Sequence, residues 1–359
     1  MSNQTYIIAE AGVNHNGSLD MAKKLVDVAK QAGADAVKFQ TFKAENLVTR
    51  AAQQAGYQVS NLGETTSQFE MLKKLELSYE EFAELKNYCD STQIEFLSTP
   101  FDFESVDFLL DDIGMNTLKI PSGELTNSPF IHYIATKRKP MIISTGMATM
   151  DDIHEALSFL AYGLAFPDQL VELEKVEIHY QTLEAKTLLK EFVTVLHCTT
   201  EYPAPFETIN LRAMNEMEKE LRLPIGFSDH SEGIAVPIAA VALGAVIIEK
   251  HFTLDCNLPG PDHRASLEPK ELEEMVVGIR VIEQSLGSGN KQPTSIELEN
   301  RLAARKSIVA KVQIAPGDIL TEAHLAIKRP GNGMPPTAYW SLIGKTVKQS
   351  YEVDALIDE

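Results

Sequence analysis

The feature that most constrains the fold is a series of eight short apolar segments separated by amphipathic stretches. Most connections have helical spacing, as the stretch 19–29 does behind a candidate helix cap at Ser18. Continuous apolar runs of this length are typical of parallel strands that are buried on both faces. The eight segments are Tyr6–Gly12, Ala36–Phe42, Ile94–Phe101, Thr117–Glu124, Met141–Met147, Val193–Tyr202, Ile225–Ser231 and Ala245–Leu254.

Eight strand–helix units predict an α/β fold of the (β/α)8 TIM-barrel type. In such a barrel, the carboxyl ends of the strands form the active-site face. Asp102 and Thr149 are candidate caps for the helices that follow the third and fifth strands. An open, doubly wound sheet is the structural alternative, although no dinucleotide-type glycine motif follows the first segment.

The pattern changes at two places along the chain. Residues 163–192 form a charged, helical stretch that is longer than a barrel connection requires, and we interpret it as an insertion. After residue 285 come Gly, Ser, Pro and Asn without apolar periodicity, then a short helical stretch, then β-like pieces. We therefore predict a catalytic domain over 1–285, a linker over 286–304 and a small β-rich domain over 305–359. A domain that small is marginally stable alone, so we expect it to pack on another surface.

Composition restricts the partners of this 359-residue chain. Its 32 basic and 51 acidic residues give a formal net charge of −19, which repels nucleic acid and anionic membranes. An anionic substrate must therefore be bound by a local cluster of cations. The apolar stretches stay below membrane-spanning length, and no export signal opens the chain. The three widely spaced cysteines, Cys89, Cys198 and Cys256, fit a reducing compartment, so we expect a cytoplasmic protein.

Polar side chains stand at the carboxyl end of every predicted strand. Any one of them could be a satisfied structural group, but a barrel brings all eight ends to one pocket. His230 and His251 end neighbouring strands and could share one divalent cation. Lys38 and Lys119, with nearby hydroxyls, suit a phosphate or carboxylate, although ion pairs with Glu10, Glu124 and Glu249 are a competing interpretation. Three carboxylates, Glu10, Glu124 and Asp262, could transfer protons or bind sugar hydroxyls.

A set of longer motifs makes the interpretation more specific. Together they resemble the N-acetylneuraminate (sialic acid) synthase family, including its legionaminic acid synthase members, over nearly the whole chain. The tail resembles the antifreeze-like (SAF) domain of these enzymes. The motifs are AEAGVNHNGS (9–18), VKFQTFKAENL (37–47), FLSTPFD (96–102), LKIPSGEL (118–125), ISTGMAT (143–149), LHCTTEYPAPFE (196–207), GFSDHS (226–231), EKHFTLD (249–255), PGPDHRASLEP (259–269), RKSIVAKVQIAPGDIL and IKRPGNG.

The resemblance implies a reaction and a set of roles. Phosphoenolpyruvate and an N-acylated mannosamine would condense with water to a nonulosonic acid and phosphate, by C–O cleavage. His230 and His251 resemble metal ligands, for Mn²⁺ or alternatively Mg²⁺ or Co²⁺, and Glu10 and Glu124 resemble the catalytic carboxylates. Arg329 resembles an arginine that a domain-swapped homodimer inserts into the partner's active site. The implied phosphoenolpyruvate contacts are Lys38, Thr99, Lys119, Ser122, Ser144, Thr200 and Tyr202, and the implied sugar contacts are Gln40, Asn61 and Asp262.

Two other functions stay open at this point. A related barrel synthase would use a phosphorylated sugar, which requires a second phosphate-binding cluster that the motifs do not offer. A sugar-binding or regulatory homologue without catalysis is the other alternative, but competent residues occupy all the matched positions. The motifs are shared by sialic and legionaminic acid synthases. They therefore leave open whether the acceptor carries one acetamido group or two.

Overall fold

The computed structural model describes residues 4–62 and 66–358, which divide into two compact units that meet between Gly287 and Ser288. The first unit contains a sheet of eight parallel strands. These strands are β1 Tyr6–Gly12, β2 Ala36–Thr41, β3 Glu95–Pro100, β4 Leu118–Ile120, β5 Met141–Ser144, β6 Val193–Cys198, β7 Ile225–Asp229 and β8 Ile247–His251. The first strand pairs with both β2 and β8, and β3 lies beside β4, so the sheet closes into the predicted barrel.

Helices connect the strands and cover the outside of the barrel. All three predicted caps are confirmed, because Ser18, Asp102 and Thr149 each accept a hydrogen bond from a backbone N–H in the first turn. The helices are α1 Leu19–Ala32, α2 Ala44–Leu47, α3 Gly56–Leu62, α4 Gln68–Leu75, α5 Tyr79–Thr92, α6 Phe103–Asp107, α7 Ser128–Thr136, α8 Met150–Ala165, α9 Leu173–Tyr180, α10 Leu183–Phe192, α11 Ala213–Leu221, α12 Ala235–Ala242 and α13 Pro269–Ser285.

Several strands end earlier than the apolar runs predicted. The prediction that the fourth strand continues to Glu124 is wrong, because the strand ends before Pro121 and a 3-10 turn follows. The sixth strand likewise ends at Cys198, so Tyr202 lies in a loop. These loops carry the polar side chains above the carboxyl ends of the strands. The strands were therefore predicted too long at the points where the chain leaves the sheet and forms the pocket.

The stretch 163–192 is helical, as predicted. Its first residues continue α8 to Ala165, and α9 and α10 occupy most of the rest. Both of these helices pack against α8, whose Tyr162 is almost fully buried. The insertion is therefore an added helical layer on the outside of the barrel.

The second unit has a small core of its own, formed by residues such as Ile308, Leu320, Leu342 and Tyr351. Its two short strands pair in antiparallel fashion. Throughout the described part of the chain, no helix combines the length and the apolar character needed to cross a membrane. The elements of this unit are α14 Ser295–Ala304, β9 Ser307–Ala310, β10 Leu325–Lys328 and α15 Tyr339–Leu342.

Candidate active site

A cavity of about 300 Å³ opens at the carboxyl ends of the barrel strands. Every site residue predicted in the first unit lines it, apart from Asn61. The barrel thus brings together side chains that are far apart in sequence. The predicted residues that line the cavity are Glu10, Lys38, Gln40, Thr99, Lys119, Ser122, Glu124, Ser144, Thr200, Tyr202, His230, His251 and Asp262.

Two lysines and two carboxylates form the floor of this cavity. Lys38 Nζ lies 2.6 Å from Glu10 Oε2 and 3.5 Å from Glu249 Oε2. Lys119 Nζ lies 3.4 Å from the other oxygen of Glu249. All four side chains are buried, so water screens their charges only weakly. Their formal charges cancel, and this mutual attraction offsets part of the desolvation cost of burying the cluster without a ligand.

The two carboxylates of the floor differ in their proton affinity. Burial raises the pKa of Glu10 to about 7, against the opposing effect of the Lys38 cation. Burial also acts to raise the pKa of Glu249, but the cations of Lys119 and Lys38 lower it to about 2. Glu249 is therefore the permanent anion between the lysines, with a further hydrogen bond from Ser228 Oγ at 2.8 Å.

Hydroxyl groups surround the two ammonium groups. Lys38 Nζ donates to Thr99 Oγ1 at 3.1 Å, and Lys119 Nζ donates to Ser144 Oγ at 2.6 Å. Ser122 Oγ accepts a hydrogen bond from the backbone N–H of Gly146 at 2.9 Å. Cations combined with hydroxyls and a nearby backbone N–H are the donor set that binds phosphate and carboxylate oxygens.

Beside this floor, the rings of His230 and His251 lie 5.5 Å apart between centroids. His230 Nδ1 lies 2.6 Å from the Thr199 carbonyl oxygen, and its ring stacks on Tyr202 at 4.1 Å. Burial lowers the pKa of His230 to about 4 and that of His251 well below its usual range. Both imidazoles are therefore neutral at pH 7 and carry a lone pair that a cation can bind.

The residues present fit a divalent cation. His251 Nδ1 is buried without a hydrogen-bond partner, and a side chain at Gly12 would crowd it, since a Cβ there would lie 3.4 Å away. Two rings at this separation can contact one ion, because a metal–imidazole bond measures about 2.1 Å. Within residues 4–62 and 66–358, no group of three or more His, Cys, Asp or Glu side chains has metal-binding geometry. The remaining ligands would be water or substrate oxygens.

Asp262 and Glu124 line the cavity, and Asn61 contacts two loops whose residues line it. Asp262 is buried, and burial raises the pKa of its carboxyl to about 7. Asn61 Nδ2 donates to the carbonyl oxygens of Pro261 at 2.7 Å and Tyr202 at 3.3 Å, so its amide nitrogen joins two loops. Glu124 is half-buried and accepts a hydrogen bond from Asn127 Nδ2 at 2.7 Å. The sugar contact that we predicted for Asn61 therefore stays a prediction, and it would have to use the amide oxygen.

Arg329 belongs to the second unit and is exposed on its surface. Its Nε donates to the carbonyl oxygen of Ala304 at 3.0 Å. This contact holds the guanidinium against the end of α14. The predicted role of Arg329 in a partner's active site stays a prediction.

Comparisons with known proteins agree with this geometry. The model of the NeuB family matches residues 25–291, and that of the SAF domain matches residues 305–358. The chain belongs to the NeuB family. It is 46% identical to the N,N'-diacetyllegionaminic acid synthase of Campylobacter jejuni, with 99% of both chains covered. Its identity to the Legionella pneumophila enzyme of the same name is 44%, covering 96% of this chain and 91% of the relative.

A solved structure of the same type is also similar. The N-acetylneuraminic acid (sialic acid) synthetase of Leptospira borgpetersenii, crystallised with citrate, is 33% identical to this NeuB-family chain, with a TM-score of 0.66. The match covers 83% of this chain and 90% of that one. The fold predicted from the apolar segments is thus confirmed both by the strands themselves and by this likeness.

The ion pairs that the sequence offers as a competing interpretation do form, between Lys38 and both Glu10 and Glu249 and between Lys119 and Glu249. Among the described residues, Glu124 pairs with neither lysine.

Sequence reasoning missed two other parts of this NeuB-family site. The ring of Tyr57 in α3 packs against that of Tyr202 at a tilt of 32°, with centroids 5.0 Å apart, and no motif signals this. The outer wall of the cavity, supplied mainly by α2 and α4, is apolar. Its side chains are Val13, Leu47, Val48, Met71, Leu72 and Leu75.

Proposed function

We propose that this chain condenses phosphoenolpyruvate with 2,4-diacetamido-2,4,6-trideoxymannose and water, which gives N,N'-diacetyllegionaminate and phosphate. The observation that carries the proposal is the buried pair Lys38 and Lys119, set in hydroxyls next to two neutral imidazoles at a barrel mouth. The identities of 44–46% to proteins named N,N'-diacetyllegionaminic acid synthase support the choice of product.

In this proposal, the floor binds the phosphate and carboxylate of phosphoenolpyruvate. Lys38 and Lys119 supply the charge, and Thr99, Ser122 and Ser144 supply hydroxyls. Thr200 and Tyr202 would complete the contacts. The buried anion Glu249 acts to raise the pKa of both lysines, which opposes the burial that lowers the pKa of Lys119.

His230 and His251 would hold the divalent cation, for which Mn²⁺ is our choice over Mg²⁺ and Co²⁺. When bound, such a cation polarises the aldehyde of the open-chain sugar and so supports attack by C3 of phosphoenolpyruvate. The contact between His230 Nδ1 and the Thr199 carbonyl orients the ring and leaves Nε2 to face the cavity.

The bond changes balance as follows. C3 of phosphoenolpyruvate bonds to the sugar aldehyde carbon, water adds to C2, and the C2–O bond to phosphate breaks. Glu10 would give a proton to the aldehyde oxygen, which becomes a hydroxyl, and Glu124 would take the proton from the water that attacks C2. The C2 hydroxyl loses its remaining proton to the departing phosphate as the C2–O bond breaks and the ketone forms. Gln40, Asn61 and Asp262 would hold the sugar. The position of Glu124 on the cavity wall, half-exposed and above the floor, supports its role toward water.

The outer wall supports a 6-deoxy, diacylated acceptor over a phosphorylated one. Val13, Met71 and Leu75 are buried apolar residues that suit acetamido and methyl groups. Lys38 and Lys119 contribute the only cationic side chains that line this cavity among the described residues, and both belong to the floor. Within one chain, a 6-phosphate on the acceptor would therefore find no cation beyond the two of the floor.

We also propose that the active site is completed by a second subunit in a homodimer. Arg329 would enter the partner's cavity and add a cation to a floor whose own charges cancel. Its exposed position on the small second unit, in a motif matched to the family, supports this role.

A direct comparison of acceptors tests the proposal. We expect phosphate release from phosphoenolpyruvate with 2,4-diacetamido-2,4,6-trideoxymannose to be at least tenfold more efficient, as kcat/KM, than with N-acetylmannosamine. N-acetylmannosamine 6-phosphate should give little product. Equal or better turnover of the phosphorylated sugar would contradict the proposed acceptor. Phosphate release at the same rate without any acceptor would contradict the condensation reaction itself.

A further inference from the structure

A second ion pair lies directly behind the two imidazoles. Lys250 Nζ is 2.7 Å from Asp229 Oδ2, and the two residues face each other across the β7–β8 ladder. The same Nζ also donates to the Ser231 carbonyl oxygen, and Asp229 Oδ1 accepts from the Ser231 N–H at 2.9 Å. The side chains of Lys250 and Asp229 are 0% and 1% exposed.

These two side chains point away from the cavity. Ser228 and Glu249, the residues just before them, are hydrogen-bonded to each other on the cavity side of the sheet. Successive side chains of a strand point to opposite faces, so Asp229 and Lys250 lie behind the sheet. They are absent from the cavity lining, and a direct contact with substrate is therefore excluded.

A pair buried this deeply calls for an explanation other than stability. Apolar residues of similar volume commonly stabilise a protein as well as a buried ion pair does, because both charges lose their hydration. The bonds here join three specific parts of the backbone, namely the end of β7, the turn 229–231 and β8. His230 is the middle residue of that turn, and His251 directly follows Lys250.

We propose that Asp229 and Lys250 are positioning residues that fix the separation of His230 and His251, so that both imidazoles can bind one divalent cation. The inference rests on the metal site of the proposed function. Without the pair, the turn would still form, but its position relative to β8 would depend only on the strand ladder and on the contact of His230 with Thr199. The imidazoles would then visit separations that no single ion bridges.

The test uses metal affinity rather than turnover. Mn²⁺ binding to metal-free, full-length protein is measured by calorimetry for wild type, D229N and the double variant D229N/K250M. Both variants keep the side-chain volumes, and an asparagine still accepts the hydrogen bond from Ser231. We expect the Kd for Mn²⁺ to rise about tenfold or more in the double variant, the scale seen when supporting contacts of metal ligands are lost. The Kd for phosphoenolpyruvate without metal should change less than about twofold.

A matched control removes an ion pair elsewhere in the barrel. Arg280 bonds Asp35 at 3.0 Å, away from the cavity, and R280M should reduce stability without changing the Kd for Mn²⁺. A wild-type Kd for Mn²⁺ in D229N/K250M would overturn the inference. If the double variant does not fold, the Kd of D229N decides in the same way: a raised Kd supports the inference and a wild-type Kd overturns it. Wild-type protein that binds no Mn²⁺ would instead contradict the proposed metal site, and this inference with it.

Discussion

Lys119 and Glu124 are five residues apart in sequence and both line the cavity, yet they should affect catalysis differently. Lys119→Met removes a buried cation that we assign to phosphoenolpyruvate, so KM for this substrate should rise roughly tenfold to 100-fold. Glu124→Gln keeps the shape but removes the proton acceptor, so kcat should fall about 100-fold or more. Steady-state kinetics separates the two effects, with Lys270→Met on the exposed face of α13 as the control. The opposite split would mean that the roles are exchanged.

The imidazole pair gives a second prediction at the residue scale. Chelation should abolish activity of the wild type, and Mn²⁺ should restore it, because the lost polarisation is worth several kcal/mol in the transition state. His230→Gln should stay inactive after Mn²⁺ is added. His154→Gln, at a partly exposed histidine on α8, is the matched control and should respond as the wild type does. Full activity of His230→Gln after exhaustive chelation would contradict the metal site.

Residue-scale contacts were only partly predictable from sequence. Polar residues at strand ends, such as Lys38 and His251, can be recognised because all eight predicted strands end in them and a barrel brings those ends together. The packing of Tyr57 against Tyr202 could not be recognised, since it depends on how α3 folds over the barrel mouth. The pairing of Glu249 with both lysines brings together residues of β2, β4 and β8, and no local pattern encodes that arrangement.

At the scale of elements, the loop between β5 and α8 leaves no room for a side chain at Gly146. A Cβ there would lie 2.1 Å from Thr200 Oγ1 and 2.8 Å from Ser122 Oγ. Gly146→Ala should displace these hydroxyls and raise KM for phosphoenolpyruvate about tenfold, the equivalent of one lost hydrogen bond. Gly56→Ala is the control, because nothing lies within 4 Å of its Cβ position. An unchanged KM for phosphoenolpyruvate in Gly146→Ala would mean that this loop does not contribute to binding of that substrate.

Elements were predictable where local chemistry determines them. Ser18, Asp102 and Thr149 cap helices as their positions indicate, because a side-chain oxygen before an amphipathic run satisfies N–H groups of the first turn. The carboxyl ends of the strands were less predictable. The predicted segments continue past Ile120 and Cys198, whereas the residues that follow lie in a 3-10 turn and in a loop.

At the scale of the whole molecule, the central question is whether each active site draws on both subunits. Arg329→Ala and Glu124→Gln proteins should each be nearly inactive alone. Mixed under conditions of subunit exchange, they should recover activity, because half of the sites in each heterodimer would have both residues intact. Exchange shown by mass spectrometry without any recovery would mean that Arg329 acts in its own chain or has no catalytic role.

The barrel and the small β-rich unit follow from the change in apolar pattern near residue 286, and the structure divides close to that point. The boundaries of a catalytic domain over 1–285, a linker over 286–304 and a terminal domain over 305–359 stay predictions. The helix α14 has no buried residue. Whether it belongs to the linker or to the terminal domain therefore depends on contacts that the sequence alone does not show.

The fate of one oxygen atom tests the proposed reaction most directly. Phosphoenolpyruvate labelled with ¹⁸O in the C2–O–P bridge is incubated with the enzyme, Mn²⁺ and 2,4-diacetamido-2,4,6-trideoxymannose, and the products are analysed by mass spectrometry. We predict that the label leaves with the phosphate and that the nine-carbon acid carries none of it, as C–O cleavage requires. Label retained in the sugar acid, or no condensation product at all, would contradict the proposed function.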